Sequence, residues 1–411
     1  MNQERLTKYA NLIIKAGVNL QPGQTLVITS PIEGAAFTRR LSEIAYENGA
    51  REVVVDWNDE LSKKIRYLKA PSEIFDEYPE WKKMFYQTYS EGGTAFISIA
   101  AEDPDLMKEV EPDRIMRAQK AANKANKTFR ERLMSNFNTW NVVSVPTVSW
   151  AVKVFPELPE EAAVEALWDA ILSSVRVDTP DPVAAWKTHK ENLEKSIRWL
   201  NGQQFHQLHF VNSLGTDLTI TLPEGHIWTG GAEVSQQGVD FIANMPTEEV
   251  FTLPHKMGVN GRVISAMPLQ YNGTLIDNFS MTFQEGKIID FTAEKGYESL
   301  KGLIETDEGS AYLGEVALVP FDSPISNTGI LFYNTLFDEN ASCHLALGKA
   351  YPVCLKNGAA MDKSTLEAAG VNDSLVHEDF MIGTNDLNVT GITHTGVHVP
   401  VFKNGNYSVK W

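Results

Sequence analysis

Thr25-Leu26-Val27-Ile28-Thr29 and Glu52-Val53-Val54-Val55-Asp56 decide the fold. The first is a short, apolar, largely β-branched run, the composition of a buried strand, and the second, with Val53, Val54 and Val55 at its centre, reads as the next strand. Between them Phe37, Leu41, Ile44 and Ala45 recur at helical spacing, and Asn48-Gly49 supplies a stop. Strand, helix and strand in that order make a βαβ unit, whose strands lie parallel. Working outward, Leu6, Tyr9, Leu12, Ile13 and Ala16 form one face of a helix over residues 3–16, closed by Gly17, and Pro22-Gly23 marks the turn into the first strand. Further strands are expected at 94–99 and 141–145 around a long helical region at 112–135, followed by helices at 160–175 and 182–200. The expectation for this part is a parallel-sheet α/β domain.

Near residue 200 the pattern changes. Strands are expected at 207–211 and 216–222 around Ser213-Leu214-Gly215, then at 263–267, 278–284, 287–292 and 396–402, the middle pair joined through Glu285-Gly286. Helices intrude at 293–304, 308–313 and 363–368. The boundary falls at about 190–205, so residues 1–195 are expected as an α/β domain and residues 196–411 as a β-rich α+β domain that carries the chemistry. Eight of nine histidines lie beyond residue 200, and only His189 precedes it.

Composition narrows the function. The chain has 411 residues, 43% of them apolar and 22% charged, the balance of a globular protein of two or three domains. A net charge of −17 argues against a nucleic-acid partner, because phosphate binding needs a clustered basic surface. No run of about 18 apolar residues exists and the N-terminus lacks a basic start with an apolar stretch, so neither a membrane span nor a secretory signal is expected. Two cysteines, Cys343 and Cys354, make no disulfide framework and fit a reducing compartment. The expected address is cytoplasmic. Neither Gly-x-Gly-x-x-Gly nor a P-loop occurs, which leaves nucleotide binding unsupported.

Four stretches hold the chemistry: Pro246-Thr247-Glu248-Glu249, Gly314-Glu315-Val316-Ala317, Glu339-Asn340-Ala341-Ser342-Cys343-His344 and His377-Glu378-Asp379. On a strand, His377 and Asp379 share a face and Glu378 points away, so the pair offers two ligands to one ion. Glu248 and Glu249 face opposite sides of an extended segment, and one of them enters any given site, held by a metal or by an arginine. Glu315 stands alone in an apolar run, either as an edge residue facing solvent or facing inward against a cation. His344 is a ligand or a core imidazole bonded to backbone, and Asn340 or Ser342 is placed to cap a short helix. A thiol nucleophile at Cys343 beside His344 is a further alternative. Taken together, carboxylates with two histidines favour a dinuclear centre over a single tetrahedral zinc.

These motifs, with their order and spacing, resemble the aminopeptidase T/aminopeptidase S/PepS family of metallo-aminopeptidases. Asn-Met-Pro-Thr-Glu-Glu-Val-Phe-Thr (244–252), Gly-Glu-Val-Ala (314–317), Glu-Asn-Ala-Ser-Cys-His-Leu-Ala-Leu-Gly (339–348) and His-Glu-Asp-Phe-Met-Ile-Gly (377–383) carry the resemblance. Tyr-Ala-Asn-Leu-Ile-Ile-Lys-Ala-Gly-Val-Asn-Leu-Gln-Pro-Gly-Gln (9–24) extends it to the N-terminus. The resemblance implies two divalent metal ions per subunit (zinc, cobalt, magnesium or manganese) held by Glu249, Glu315, Glu339, His344, His377 and Asp379. It also implies Tyr351 at the active site, short peptide substrates, and a homodimer whose sites face an enclosed cavity that residues 1–195 help to shape. The expected reaction is hydrolysis of the first peptide bond, with the Tyr351 hydroxyl donating to the developing oxyanion. Glu248 or Glu339 is expected to carry the proton to the leaving amine. Two rival readings are another dinuclear metallohydrolase, amidase-like, and a non-catalytic binder of small cationic ligands.

Overall fold

The structure is a computed structural model, and it describes residues 2–271 and 273–409. The chain forms two compact units. One comprises Met1–Thr188 with Ala232–Pro246, and the other His189–Gly231 with Thr247–Trp411. The expected boundary at 195/196 lies inside the helix Pro182–Gln203.

The first unit is built on a parallel sheet of four strands, β1 (Thr25–Pro31), β2 (Glu52–Asn58), β3 (Ala95–Ile99) and β4 (Trp140–Val143), in the order β2-β1-β3-β4. Leu26, Val27 and Ile28 are wholly buried, as their uniform apolar character requires at the middle of a sheet covered on both faces. The helix Ala35–Glu47 crosses from β1 to β2 with Phe37, Leu41 and Ile44 inward. The crossover from β2 to β3 carries two helices, Glu60–Lys69 and Glu80–Glu91. The helical region expected at 112–135 consists of two helices, Pro112–Ala125 and Lys127–Met134, which meet at Asn126. Residues 232–246 belong to this unit because they bond beside β4: Val142 N donates to Ala243 O at 2.7 Å and Met245 N donates to Val142 O at 2.9 Å.

In the second unit, among the described residues, a nine-stranded antiparallel sheet runs in the order Leu269–Tyr271, Thr274–Gln284, Val259–Ile264, Asp217–Thr221, Gln207–Val211, Asn388–Ile392, His398–Lys403, Asn406–Tyr407, with Lys287–Lys295 also paired to Thr274–Gln284. The strand expected at 263–267 begins earlier, at Val259, and the helix expected at 293–304 begins at Tyr297 because the preceding strand continues to Lys295. A second sheet of four antiparallel strands follows the order His377–Met381, His344–Gly348, Leu313–Leu318, Val250–Thr252. Val250, Val316, Leu345 and Phe380 from one of its faces join the main core of this unit. Residues 308–313, expected as helix, are a single 3-10 turn at Gly309–Ala311 leading into that sheet. Among the described residues no helix is long and apolar enough to cross a membrane.

Candidate metal centre

The register of the four-stranded sheet determines which side chains meet. Glu315 pairs with Ala346 and Ala346 with Asp379; Ala317 pairs with both Phe251 and His344; Gly348 pairs with His377. Side chains alternate along each strand, so Glu249, Glu315, His344, His377 and Asp379 emerge on one face while Val250, Val316, Leu345 and Phe380 point into the core behind it. An irregularity between Leu313 and Glu315 makes this possible. Leu313 pairs with Leu347, yet Glu315 pairs with Ala346, so one residue of the pair Gly314-Glu315 is extra and the face changes. The extra residue has to be glycine: a Cβ on Gly314 would lie 2.4 Å from the carbonyl oxygens of both Gly348 and Lys349.

On that face Glu315 lies between two imidazoles. His344 Nε2 is 3.6 Å from Glu315 Oε1, and His377 Nε2 is 3.6 Å from Glu315 Oε2. Glu249 Oε2 approaches His344 Nε2 to 3.0 Å, and Asp379 Oδ1 lies 3.6 Å from His377 Nε2. Two donor sets result, Glu249/Glu315/His344 and Glu315/His377/Asp379, each with ligand atoms mutually within 4.8 Å. Each imidazole is anchored through its other nitrogen: His344 Nδ1 donates to Ser342 O at 3.0 Å and His377 Nδ1 to Lys349 O at 2.7 Å. A carbonyl only accepts, so both rings carry their proton on Nδ1 when neutral and leave Nε2 free to bind a cation, the usual support of a metal-bound histidine. Asp379 Oδ1 is buried without a hydrogen-bond partner. The donor set and that orphaned oxygen fit divalent cations.

Electrostatics agree. Glu315 and His344 are almost fully buried, 4% and 1% exposed. Burial pushes the Glu315 carboxyl up to about 7, opposed by His344 and His377 and reinforced by Asp379 and Glu249. Burial alone would lower His344, but Glu249 and Glu315 outweigh it and hold the imidazole well above its ordinary range. Without a cation, the cluster thus retains protons to limit its own charge repulsion.

The other expected site residues lie around these two sets. Glu339 is in neither set; burial and the charges of Asp379 and Glu249 push its carboxyl well up, and Asn340 Nδ2 donates to its Oε1 at 3.3 Å. The Tyr351 ring sits 4.6 Å from the His377 ring, and burial with the charges of Glu315, Asp379, Glu339 and Glu249 keeps its phenol well above the usual range. Glu248 turns away from Glu249, with its Oε2 3.6 Å from His189 Nε2. His189 also bonds the Thr247 carbonyl at 2.8 Å. It was the one histidine outside the expected region, and no local motif marks it.

Two of the alternatives fall away. No helix is capped by Asn340 or Ser342: the short helix Thr335–Asp338 precedes them, with Asn334 as its cap, and a 3-10 turn at Glu339–Ala341 leads straight to the strand at His344. Asn340 instead accepts from Glu248 N at 2.8 Å and donates to Leu336 O at 3.0 Å. Cys343 is not a nucleophile: it is 1% exposed, its Sγ donates to Val319 O at 3.3 Å, and burial pushes the thiol up to about 12.

Comparison with known proteins gives a consistent answer. Residues 2–407 match the family model Peptidase_M29, described as thermophilic metalloprotease (M29). The chain is 50% identical to aminopeptidase 2 of Geobacillus stearothermophilus over 406 residues, 99% of this chain and 98% of that protein. It is 48% identical to aminopeptidase AmpS of Bacillus subtilis over 405 residues, 98% of each. The solved structure of wild-type AmpT from Thermus thermophilus superposes with a TM-score of 0.94 at 40% identity, covering 99% of this chain and 100% of that one. With residues 2–407 matched to the family model and relatives 48–50% identical over nearly the whole length, the chain belongs to the M29 family of metalloproteases and is a metal-dependent peptide hydrolase.

Proposed function

We propose that the protein is an aminopeptidase that releases N-terminal residues from short peptides, using two divalent ions held by Glu249, Glu315, Glu339, His344, His377 and Asp379. The observation that carries the two-ion reading is Glu315, whose two oxygens each face a different imidazole at 3.6 Å. Four carboxylates (Glu249, Glu315, Glu339 and Asp379) match the charge of two divalent cations with both histidines neutral. Oxygen-rich sites with two imidazoles accept zinc, cobalt, manganese or magnesium. When bound, such ions polarise the scissile carbonyl and make water acidic enough to attack near neutral pH.

The protein's own groups supply the remainder. His344 and His377, pinned through Nδ1, keep the donor set in register. Tyr351 retains its phenolic proton, chiefly because it is buried, and is placed to donate to the carbonyl oxygen as charge develops there. Glu248, beside His189, and Glu339, which lies outside both three-residue donor sets, are the two groups proposed to carry a proton to the leaving amine. The substrate's free α-amino group would bind a carboxylate of the site or a metal ion, which accounts for cleavage one residue at a time. A homodimer is part of this reading.

The test combines elemental analysis of the purified protein with turnover of free and N-acetylated dipeptides. Two equivalents of divalent metal, cleavage of the free peptides only, and loss of both metal and activity in Glu315→Gln are expected. Equal turnover of acetylated and free peptides would exclude an exopeptidase that reads the amine, and full activity in a metal-free sample would remove the two-ion scheme. Light scattering reads the oligomeric state.

A further inference from the structure

The loops that leave the carboxyl ends of β1 to β4 surround a cavity of about 760 Å³, formed wholly within the first unit. Gly34 and Phe37 line it after β1, Glu60 after β2, Asp103 after β3 and Thr147 after β4. In the order β2-β1-β3-β4 the chain first moves outward from β1 to β2 and then returns past β1 to β3. That reversal lies between β1 and β3, and the crevice outside the strand ends at such a reversal is where open parallel sheets bind their ligands.

Glu60 is an unusual wall for an unused hole. It opens the helix Glu60–Lys69, whose N-cap is Asp59, and is 5% exposed. Its Oε2 accepts from Asp103 N at 3.1 Å, but its Oε1 is buried with no hydrogen-bond partner. Burial pushes the carboxyl up to about 7, partly offset by the Asp103 amide. A buried oxygen left in this way is unfavourable until a donor reaches it. Glu33, Asp103 and Glu160 also line the cavity and no lysine or arginine does, while Phe37, Val145 and Trp168 are among its apolar walls. Among the described residues the groups close enough to hold a metal ion are all at the other centre, so these acids do not form an ion cage.

We propose that this cavity is a second ligand site, which takes a small primary amine with an apolar body, its ammonium donating to Glu60 Oε1 and its hydrocarbon lying against Phe37 and Trp168. The site gives the α/β unit a binding role of its own, independent of peptide cleavage.

Calorimetric titration of the full-length, metal-loaded protein tests this, with 2-phenylethylamine as the probe and 2-phenylethanol as its neutral counterpart. Saturable binding of the amine is expected, with the alcohol weaker by roughly tenfold or more, the scale of one charge-assisted hydrogen bond. Glu60→Gln should weaken the amine by a similar factor and Ser149→Trp, which places a ring in the cavity, should abolish binding; peptidase activity should persist in both. Ser149→Trp decides the matter if Glu60→Gln fails to fold. No saturable binding to the wild type, equal affinity for amine and alcohol, or undiminished binding by a folded variant overturns the proposal; the last result would assign the amine to the metal centre instead.

Discussion

The amide of Glu248 donates to the Asn340 side chain at 2.8 Å across 92 positions of sequence. Asn340 is wholly buried, and its Nδ2 reaches both Leu336 O and Glu339 Oε1. One amide therefore ties the segment that presents Glu249 to the turn that presents Glu339.

Asn340→Ala should remove that tie and leave the Glu248 amide without its acceptor. A loss of about 1–3 kcal/mol in stability is expected for one buried group left unsatisfied, together with a lower kcat at saturating metal. Denaturant titration and steady-state kinetics measure the two effects. A variant with unchanged stability and rate would mean the linkage is incidental.

Gly314→Ala should be worse, although it adds a single methyl group. The new Cβ would meet two carbonyl oxygens at 2.4 Å, both backbone atoms that move only with their strand. Loss of about 3 kcal/mol or more is expected, with reduced metal retention because Glu315 can no longer be turned to the ligand face. Metal content after dialysis and the melting temperature report this. Retention of full metal by a stable Gly314→Ala protein would show that the extra residue does not orient Glu315.

Tyr351→Phe separates chemistry from packing. The ring that lies 4.6 Å from His377 is kept and only the hydroxyl is lost. If the phenol donates to the developing oxyanion, kcat should fall about 100-fold or more with KM and metal content little changed. An unaltered kcat assigns Tyr351 to packing alone.

Glu60 makes a pH-dependent prediction that does not involve the metal centre. Its carboxyl is pushed up to about 7 in the folded state from an ordinary 4.5. Below 4.5 the group is protonated in both states; as pH rises from there the unfolded chain ionises first, so the stability associated with the neutral group is lost by the time pH passes 7. Glu60→Gln stays neutral throughout. Its melting temperature relative to wild type should therefore be distinctly higher at pH 8 than at pH 5, and a difference that does not vary with pH would contradict the burial of this group.

Much of the centre was legible in the residues because strand geometry is local. Alternation alone puts His377 and Asp379 together and sends Glu378 away, and it separates Glu248 from Glu249. Other parts were not legible. His-Leu-Ala-Leu-Gly at 344–348 is an interior strand buried on both sides, and with no polar residue after His344 its short apolar run does not by itself separate strand from helix. His189 reaches Glu248 from a helix far from any motif, and the role of Asn340 depends on partners at distant positions.

By itself the sequence determined the element types of the parallel α/β part, the strand-rich character of the rest, and the identities of the acids and histidines, because propensity and side-chain chemistry are properties of short segments. Only the tertiary structure decided that Glu315 spans the two imidazoles. That depends on cross-strand register and on one extra residue at Gly314, and a shift of one position would have turned the same carboxylate into the core.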